Sequence, residues 1–209
     1  MEEAVRIPCD ELELEGRLSL PRSPALGVVL CHPHPLMGGD MHSPPVAWLR
    51  EVLASRGAAV LRFNFRGTGT SGGVHGGGVA EQRDVEAALS FLSGRVPHVR
   101  VALAGYSFGA LVAARVVAAG KAGELFALGL IAPPCAMAAL PPLSAAAFPG
   151  GVVAVAGDGD EICPAAELRA WAEPAGVRCE ILRGEDHFLG GAREALGRIF
   201  SDWVAPDAA

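Results

Sequence analysis

Gly105-Tyr106-Ser107-Phe108-Gly109 joins a short apolar stretch, Val99 to Ala104, to a longer one, Phe108 to Ala119. A serine at such a strand-to-helix turn can act as a nucleophile, because the sharp bend lifts its hydroxyl clear of the backbone. A bend that tight needs residues nearly free of side chain two places before and two places after, and glycine stands at both. The first N–H groups of the following helix have no earlier carbonyl to bond and lie at the positive end of its dipole. The Phe108 amide is therefore a candidate donor to a negative oxygen forming beside Ser107. In a chain with 27 glycines such a motif can arise by chance, so partners elsewhere must decide.

A serine nucleophile needs a base and a carboxylate to orient that base. After a turn of this kind they are expected in the order Ser, Asp, His, on loops following later strands. Both are present. The apolar run Gly151 to Ala156 leads into Gly157-Asp158-Gly159-Asp160-Glu161-Ile162-Cys163-Pro164, and Arg178 to Leu182 leads into Gly184-Glu185-Asp186-His187-Phe188. His187 would act as general base toward Ser107 and then as general acid toward the leaving group. Of the two aspartates, Asp160 is preferred because it lies nearer the next helix, which Pro164 can open, whereas Asp158 suits a self-capping turn. Glu161 and Asp186 read as solvated neighbours. His75 and His98 sit in polar loop contexts and His42 just before a helix, and none of the three is assigned chemistry.

The elements that must position these residues alternate. Strand-like runs fall at Ala4 to Pro8, Leu12 to Leu20, Gly27 to Cys31, Ala58 to Phe63, Val99 to Ala104, Phe126 to Ile131, Gly151 to Ala156 and Arg178 to Leu182. Helical candidates fall at Pro44 to Arg56, Ala80 to Leu92, Phe108 to Ala119, Ala165 to Trp171 and Gly190 to Val204. The last six strand runs are short and almost wholly apolar, which predicts strands buried on both faces in a mostly parallel sheet with helical crossovers. Glu11-Leu12-Glu13-Leu14-Glu15 instead alternates, so the first two runs predict an antiparallel edge hairpin. The expected class is α/β, with about eight strands and helices on both faces.

The 209 residues suit one α/β domain spanning 1–209, and 51% hydrophobic content supports a large core. A net charge of −6 without basic clusters speaks against nucleic acid as a partner. No apolar stretch reaches the roughly 18 residues of a membrane span, and Met1-Glu2-Glu3 is acidic where a secretory signal is basic, so a cytoplasmic location is expected. Cys9, Cys31, Cys135, Cys163 and Cys179 form no CxxC and lie mostly in apolar runs, which predicts buried free thiols.

Taken together these segments resemble the α/β-hydrolase superfamily, and within it a small group of lidless bacterial hydrolases with a His-Pro-His-Pro turn. The matching segments are Cys31-His32-Pro33-His34-Pro35-Leu36-Met37-Gly38-Gly39, Leu61 to Gly72, the serine turn, Asp160 to Pro164, and Asp186-His187-Phe188. The resemblance covers nearly the whole chain and implies Asp160 as acid and His187 as base. It also implies a second oxyanion donor from the turn after the Gly27 to Cys31 strand. Pro33 and Pro35 have no N–H, which leaves His34 or Leu36. His32 is expected beneath the site as a hydrogen-bonded prop. A zinc site at His32 and His34, with Asp40 and His42 nearby, is not expected, since the rigid turn aims the rings awkwardly and no second ligand cluster follows. Arg66 to Gly72 lacks the ending of a phosphate-binding loop and reads as a tight loop with Arg66 as structural donor.

Many larger superfamily members carry a helical cap after the strand matching Phe126 to Ile131, but Ala132 to Gly150 leaves no room for one. The mouth should be shallow, walled by Leu36, Met37, Pro133, Pro134, Met137 and Phe188; Met137 and Phe188 could equally complete the core. The expected activity is serine-dependent hydrolysis of short- to medium-chain carboxylic esters, with no cofactor and no metal. Acyl transfer, or thioester or amide cleavage, would use the same three residues. A non-catalytic binding module is the alternative from another class. Either a monomer or a homodimer is compatible with the sequence.

Overall fold

The structure is a computed structural model that describes residues 2–204. Eight strands form one sheet, in the order β1-β2-β4-β3-β5-β6-β7-β8. They are β1 (Glu2–Cys9), β2 (Leu12–Ser19), β3 (Gly27–Cys31), β4 (Ala59–Phe63), β5 (Val101–Tyr106), β6 (Ala127–Ile131), β7 (Val152–Gly157) and β8 (Arg178–Leu182). β1 and β2 are antiparallel, with Cys9 opposite Leu12 across the turn, and β2 runs antiparallel to β4. All other pairings are parallel. The alternation in β2 buries Leu14 and Leu18 while Glu13 faces outward, as a half-covered edge strand requires.

Every residue of β3, β4, β5, β6 and β7 is buried. β8 departs from that expectation. It is the outer strand beside β7, and its residues are half-buried or exposed. Arg178 and Glu180 pair along it through Nε and Oε1 at 2.7 Å, putting charge on an edge that would otherwise invite pairing with another chain.

The helices are α1 (Pro44–Ser55), α2 (Glu81–Arg95), α3 (Phe108–Ala118), α4 (Ala165–Ala175) and α5 (Arg193–Ser201). α1 packs on α5, α2 on α3, and α4 on β7 and β8. Several boundaries differ from the sequence reading: β1 is longer at both ends, β5 is shifted two residues onward, α2 runs on to Arg95, and α4 and α5 differ as follows. α4 continues past Trp171 and tolerates Pro174 in its last turn, ending at Gly176 in the left-handed region at φ 66°. α5 starts later than Gly190, after a turn in which Ala192 N–H donates to the Leu189 carbonyl, and its end tightens into a 3-10 turn at Asp202–Val204.

Chain direction explains where a site can form. From β3 the chain crosses through α1 to β4 on one side, then returns through α2 to β5 on the other side. At such a switch point the loops leaving the carboxyl ends of the two strands diverge and open a crevice. The turn after β3 and the Ser107 turn after β5 both lie there. Between β6 and β7 the only helical element is a single 3-10 turn at Ala145–Ala147, so among the described residues no cap covers this end of the sheet. Among the described residues no helix is long and apolar enough to cross a membrane.

Candidate active site

Ser107 sits between β5 and α3 with φ 54° and ψ −118°, a strained conformation for a residue with a side chain. The surroundings force it. A Cβ on Gly105 would come closer than 3.0 Å to the Gly109 carbonyl, and one on Gly109 would meet the Cys31 carbonyl oxygen at 2.5 Å. The Ser107 N–H donates to the Ile131 carbonyl at 2.8 Å, tying the bend to the end of β6.

Ser107 Oγ lies 2.9 Å from His187 Nε2. His187 Nδ1 faces both carboxylate oxygens of Asp160, at 3.0 and 2.9 Å. With its Nδ1 proton donated to Asp160, the imidazole keeps a lone pair at Nε2 to accept from the serine hydroxyl. Asp160 is buried and also accepts from the Ile162 and Cys163 N–H groups at 2.9 and 2.8 Å. Asp158 faces elsewhere: it is exposed and its Oδ1 accepts from Gly184 N–H at 2.7 Å. Asp186 is exposed, accepting from Phe188 N–H at 2.9 Å, and Glu161 is exposed as well.

The acid loop after β7 and the histidine loop after β8 are brought together by close backbone contact. Gly159 N–H donates to the Glu185 carbonyl at 3.0 Å, and a Cβ on Gly157 would lie closer than 3.0 Å to that same carbonyl oxygen. A second clamp had not been anticipated. The Tyr106 hydroxyl donates to the His187 carbonyl at 2.9 Å, and burial pushes its phenol up to about 12, which keeps the proton in place. The available signal was that the one tyrosine of the chain stands directly before Ser107.

His32 is fully buried. Its Nε2 accepts from Phe65 N–H at 3.0 Å and its Nδ1 lies 2.6 Å from the Pro33 carbonyl, so Nδ1 carries the proton. Burial pushes the ring down to about 4, and it is a neutral prop. Arg66 is the structural donor expected: its Nη2 and Nε reach Asp84 Oδ1 at 2.6 and 2.9 Å, and its N–H reaches Oδ2 at 2.9 Å.

The turn after β3 separates its two amides. Leu36 N–H donates to the His34 Nδ1 at 3.2 Å, which caps the 3-10 turn Pro35–Met37. His34 N–H meets no acceptor among the described residues. The His34 ring lies 4.9 Å from the Phe108 ring, beside the first helical amide of α3. His75, read from sequence as a polar-loop residue, also packs here, 4.8 Å from His34 and 5.4 Å from Phe108 between ring centres. Nothing local betrayed this, because the glycine-rich run from Gly72 to Gly78 folds back over α3 only in three dimensions.

Of the expected wall, Leu36, Met37, Met137 and Phe188 are 74, 84, 77 and 72% exposed, so Met137 and Phe188 are not core. Pro133 and Pro134 are buried and offer little surface. Phe188 stands edge-on to His187 at 6.1 Å between ring centres.

Residues 23–170 match the family profile described as serine aminopeptidase, S33. The chain is 31% identical to an uncharacterized protein of Rickettsia prowazekii (strain Madrid E), over 93% of this chain and 85% of that protein. Among solved structures, an alpha-beta serine hydrolase homologue from Coxiella burnetii superposes with a TM-score of 0.86 at 30% identity, covering 97% of each chain. A serine hydrolase without a lid from Xanthomonas campestris superposes with a TM-score of 0.83 at 28% identity, covering 98% of this chain and 96% of that one.

Proposed function

Since this chain belongs to the serine aminopeptidase S33 family of α/β serine hydrolases, we propose that it hydrolyses short- to medium-chain carboxylic esters through an acyl-enzyme at Ser107. The observation that carries the proposal is the unbroken path from Ser107 Oγ to His187 Nε2 at 2.9 Å and from His187 Nδ1 to Asp160 at 2.9 Å, at an uncapped sheet end.

Ser107 Oγ attacks the ester carbonyl carbon while His187 Nε2 takes the hydroxyl proton, and Asp160 stabilises the imidazolium. The carbonyl oxygen becomes an anion held by Phe108 N–H and His34 N–H. His34 is preferred over Leu36 because the Leu36 amide already serves His34 Nδ1. Burial holds the His34 imidazole below its ordinary value, which keeps that nitrogen an acceptor. His187 then protonates the departing alcohol oxygen, and a water deprotonated by His187 releases the acid.

The exposed Leu36, Met37, Met137 and Phe188 are assigned to the acyl chain as apolar surface, together with the buried Pro133. Small esters need no other partner, and no cofactor enters any step. Thioesters and aminoacyl amides would pass through the same acyl-enzyme, so they are assayed beside the esters.

Ser107→Ala should lower hydrolysis of p-nitrophenyl butyrate by about a thousandfold or more while leaving the circular dichroism spectrum unchanged. A fluorophosphonate should label the wild type at Ser107 and not the variant. Equal hydrolysis by the two proteins would overturn the proposal.

A further inference from the structure

Two thiols meet behind the carboxylate. Cys135, in the segment after β6, and Cys163, in the segment after β7, hold their sulfur atoms 3.7 Å apart. Cys163 is fully buried and Cys135 half-buried, so a small oxidant can approach only one of the two. The two segments are already joined, since Ala136 N–H donates to the Ile162 carbonyl at 3.1 Å. The same stretch holds Asp160, whose Oδ1 accepts from Ile162 N–H and Cys163 N–H.

We infer that Cys135 and Cys163 are an oxidisable dithiol, closed to a disulfide by hydrogen peroxide, and that closure shifts the segment holding Asp160 and slows turnover at Ser107. The loss of turnover rests on the hydrolase reading above; disulfide formation does not.

The chemistry balances in two steps. The Cys135 thiolate attacks one peroxide oxygen, the O–O bond breaks, and a sulfenic acid and hydroxide form. The Cys163 sulfur then attacks the sulfenic sulfur, the S–S bond forms, the S–O bond breaks, and hydroxide leaves with the Cys163 proton as water. Two thiols and one peroxide give one disulfide and two waters, with two electrons passing from sulfur to peroxide. The sulfur–sulfur contact holds the Cys135 thiol below its ordinary value, and the same contact with burial raises that of Cys163. The accessible sulfur is thus the better first nucleophile and the buried one the resolving partner.

A disulfide needs its sulfurs at about 2.05 Å, well inside the present separation. Cys163 is fully buried and its own N–H donates to Asp160, so any backbone shift that closes the bridge is felt at the carboxylate.

The reduced full-length protein is treated with hydrogen peroxide, alkylated and mapped by mass spectrometry. Turnover of p-nitrophenyl butyrate and the pH titration of the His187 imidazole by NMR are followed in parallel. The expected result is a Cys135–Cys163 peptide two hydrogens lighter, turnover reduced by about ten- to a hundredfold, a displaced His187 titration, and recovery of all three with dithiothreitol. Cys135→Ser should keep basal turnover and resist peroxide. Both thiols remaining alkylatable, a bridge to Cys179 instead, or a formed bridge with unchanged turnover and His187 titration would each overturn the inference. If the reduced protein hydrolyses none of the esters, the hydrolase reading fails, while the mass map and the His187 titration still decide on the disulfide and its reach to Asp160.

Discussion

At the scale of single residues, His32 shows how a histidine in the turn after β3 can be structural. Both its ring nitrogens are used by backbone, Phe65 N–H at one and the Pro33 carbonyl at the other, and burial pushes it from an ordinary 6.5 down to about 4. Above pH 6.5 the ring is neutral in both folded and unfolded chains and makes no pH-dependent difference. Below 6.5 the unfolded chain takes a proton that the native protein refuses until about 4, so stability is lost across that window and levels off beneath it. The total is roughly 3 kcal/mol. His32→Gln keeps an acceptor for Phe65 N–H but does not titrate. The unfolding free energy of wild type minus that of His32→Gln, from urea titrations between pH 7 and 4, should therefore shrink by about that amount. A difference constant with pH would show that the native ring takes up its proton in the ordinary range.

At the scale of elements, the loop after β4 is held by a buried charge as well as by the packing of Phe65 on Phe63 and Phe108. Asp84 on α2 is wholly buried and receives the Arg66 guanidinium and the Arg66 N–H, while Cys9 Sγ lies 3.5 Å from its Oδ1. One carboxylate thus pins three elements: β1, α2 and the loop that carries Arg66. Removing one partner of a buried pair leaves the other uncompensated, at a cost of about 3–5 kcal/mol. Asp84→Ala should lower the urea midpoint by a corresponding amount. A loss below about 1 kcal/mol would mean that water or another group takes over the guanidinium. The same loop continues into the glycine-rich run that lays His75 on Phe108, so the damage should extend to the crevice.

At the scale of the whole molecule, an uncapped site follows from connectivity. The link from β6 to β7 has one 3-10 turn as its helical element, and Leu36, Met37, Met137 and Phe188 stand mostly exposed. A closed pocket discriminates a methylene by about 1–3 kcal/mol because it surrounds it; an open rim touches it on one side. Across p-nitrophenyl acetate, butyrate, hexanoate and octanoate, kcat/KM should therefore change by less than about tenfold per added ethylene unit. A sharp cut-off between two neighbouring chain lengths would reveal an enclosed pocket instead.

Most of the architecture was legible from local pattern. Almost wholly apolar runs marked β3 to β7, alternation marked the β1–β2 hairpin, and the flanking glycines announced a bend that only a residue without Cβ can close at Gly105 and Gly109. The order of serine, aspartate and histidine at strand ends was equally readable, because each follows its strand within a few residues. Relations between segments distant in sequence were not. The edge position of β8, the pairing of Cys135 with Cys163, the Tyr106 clasp on His187, the place of His75 over Phe108, and the capping that separates His34 from Leu36 all arise from contacts across the fold. Periodicity and turn chemistry are short-range properties and can be read along a chain. Which side chains meet depends on how the sheet orders its strands and where loops return, and only the folded packing decides that.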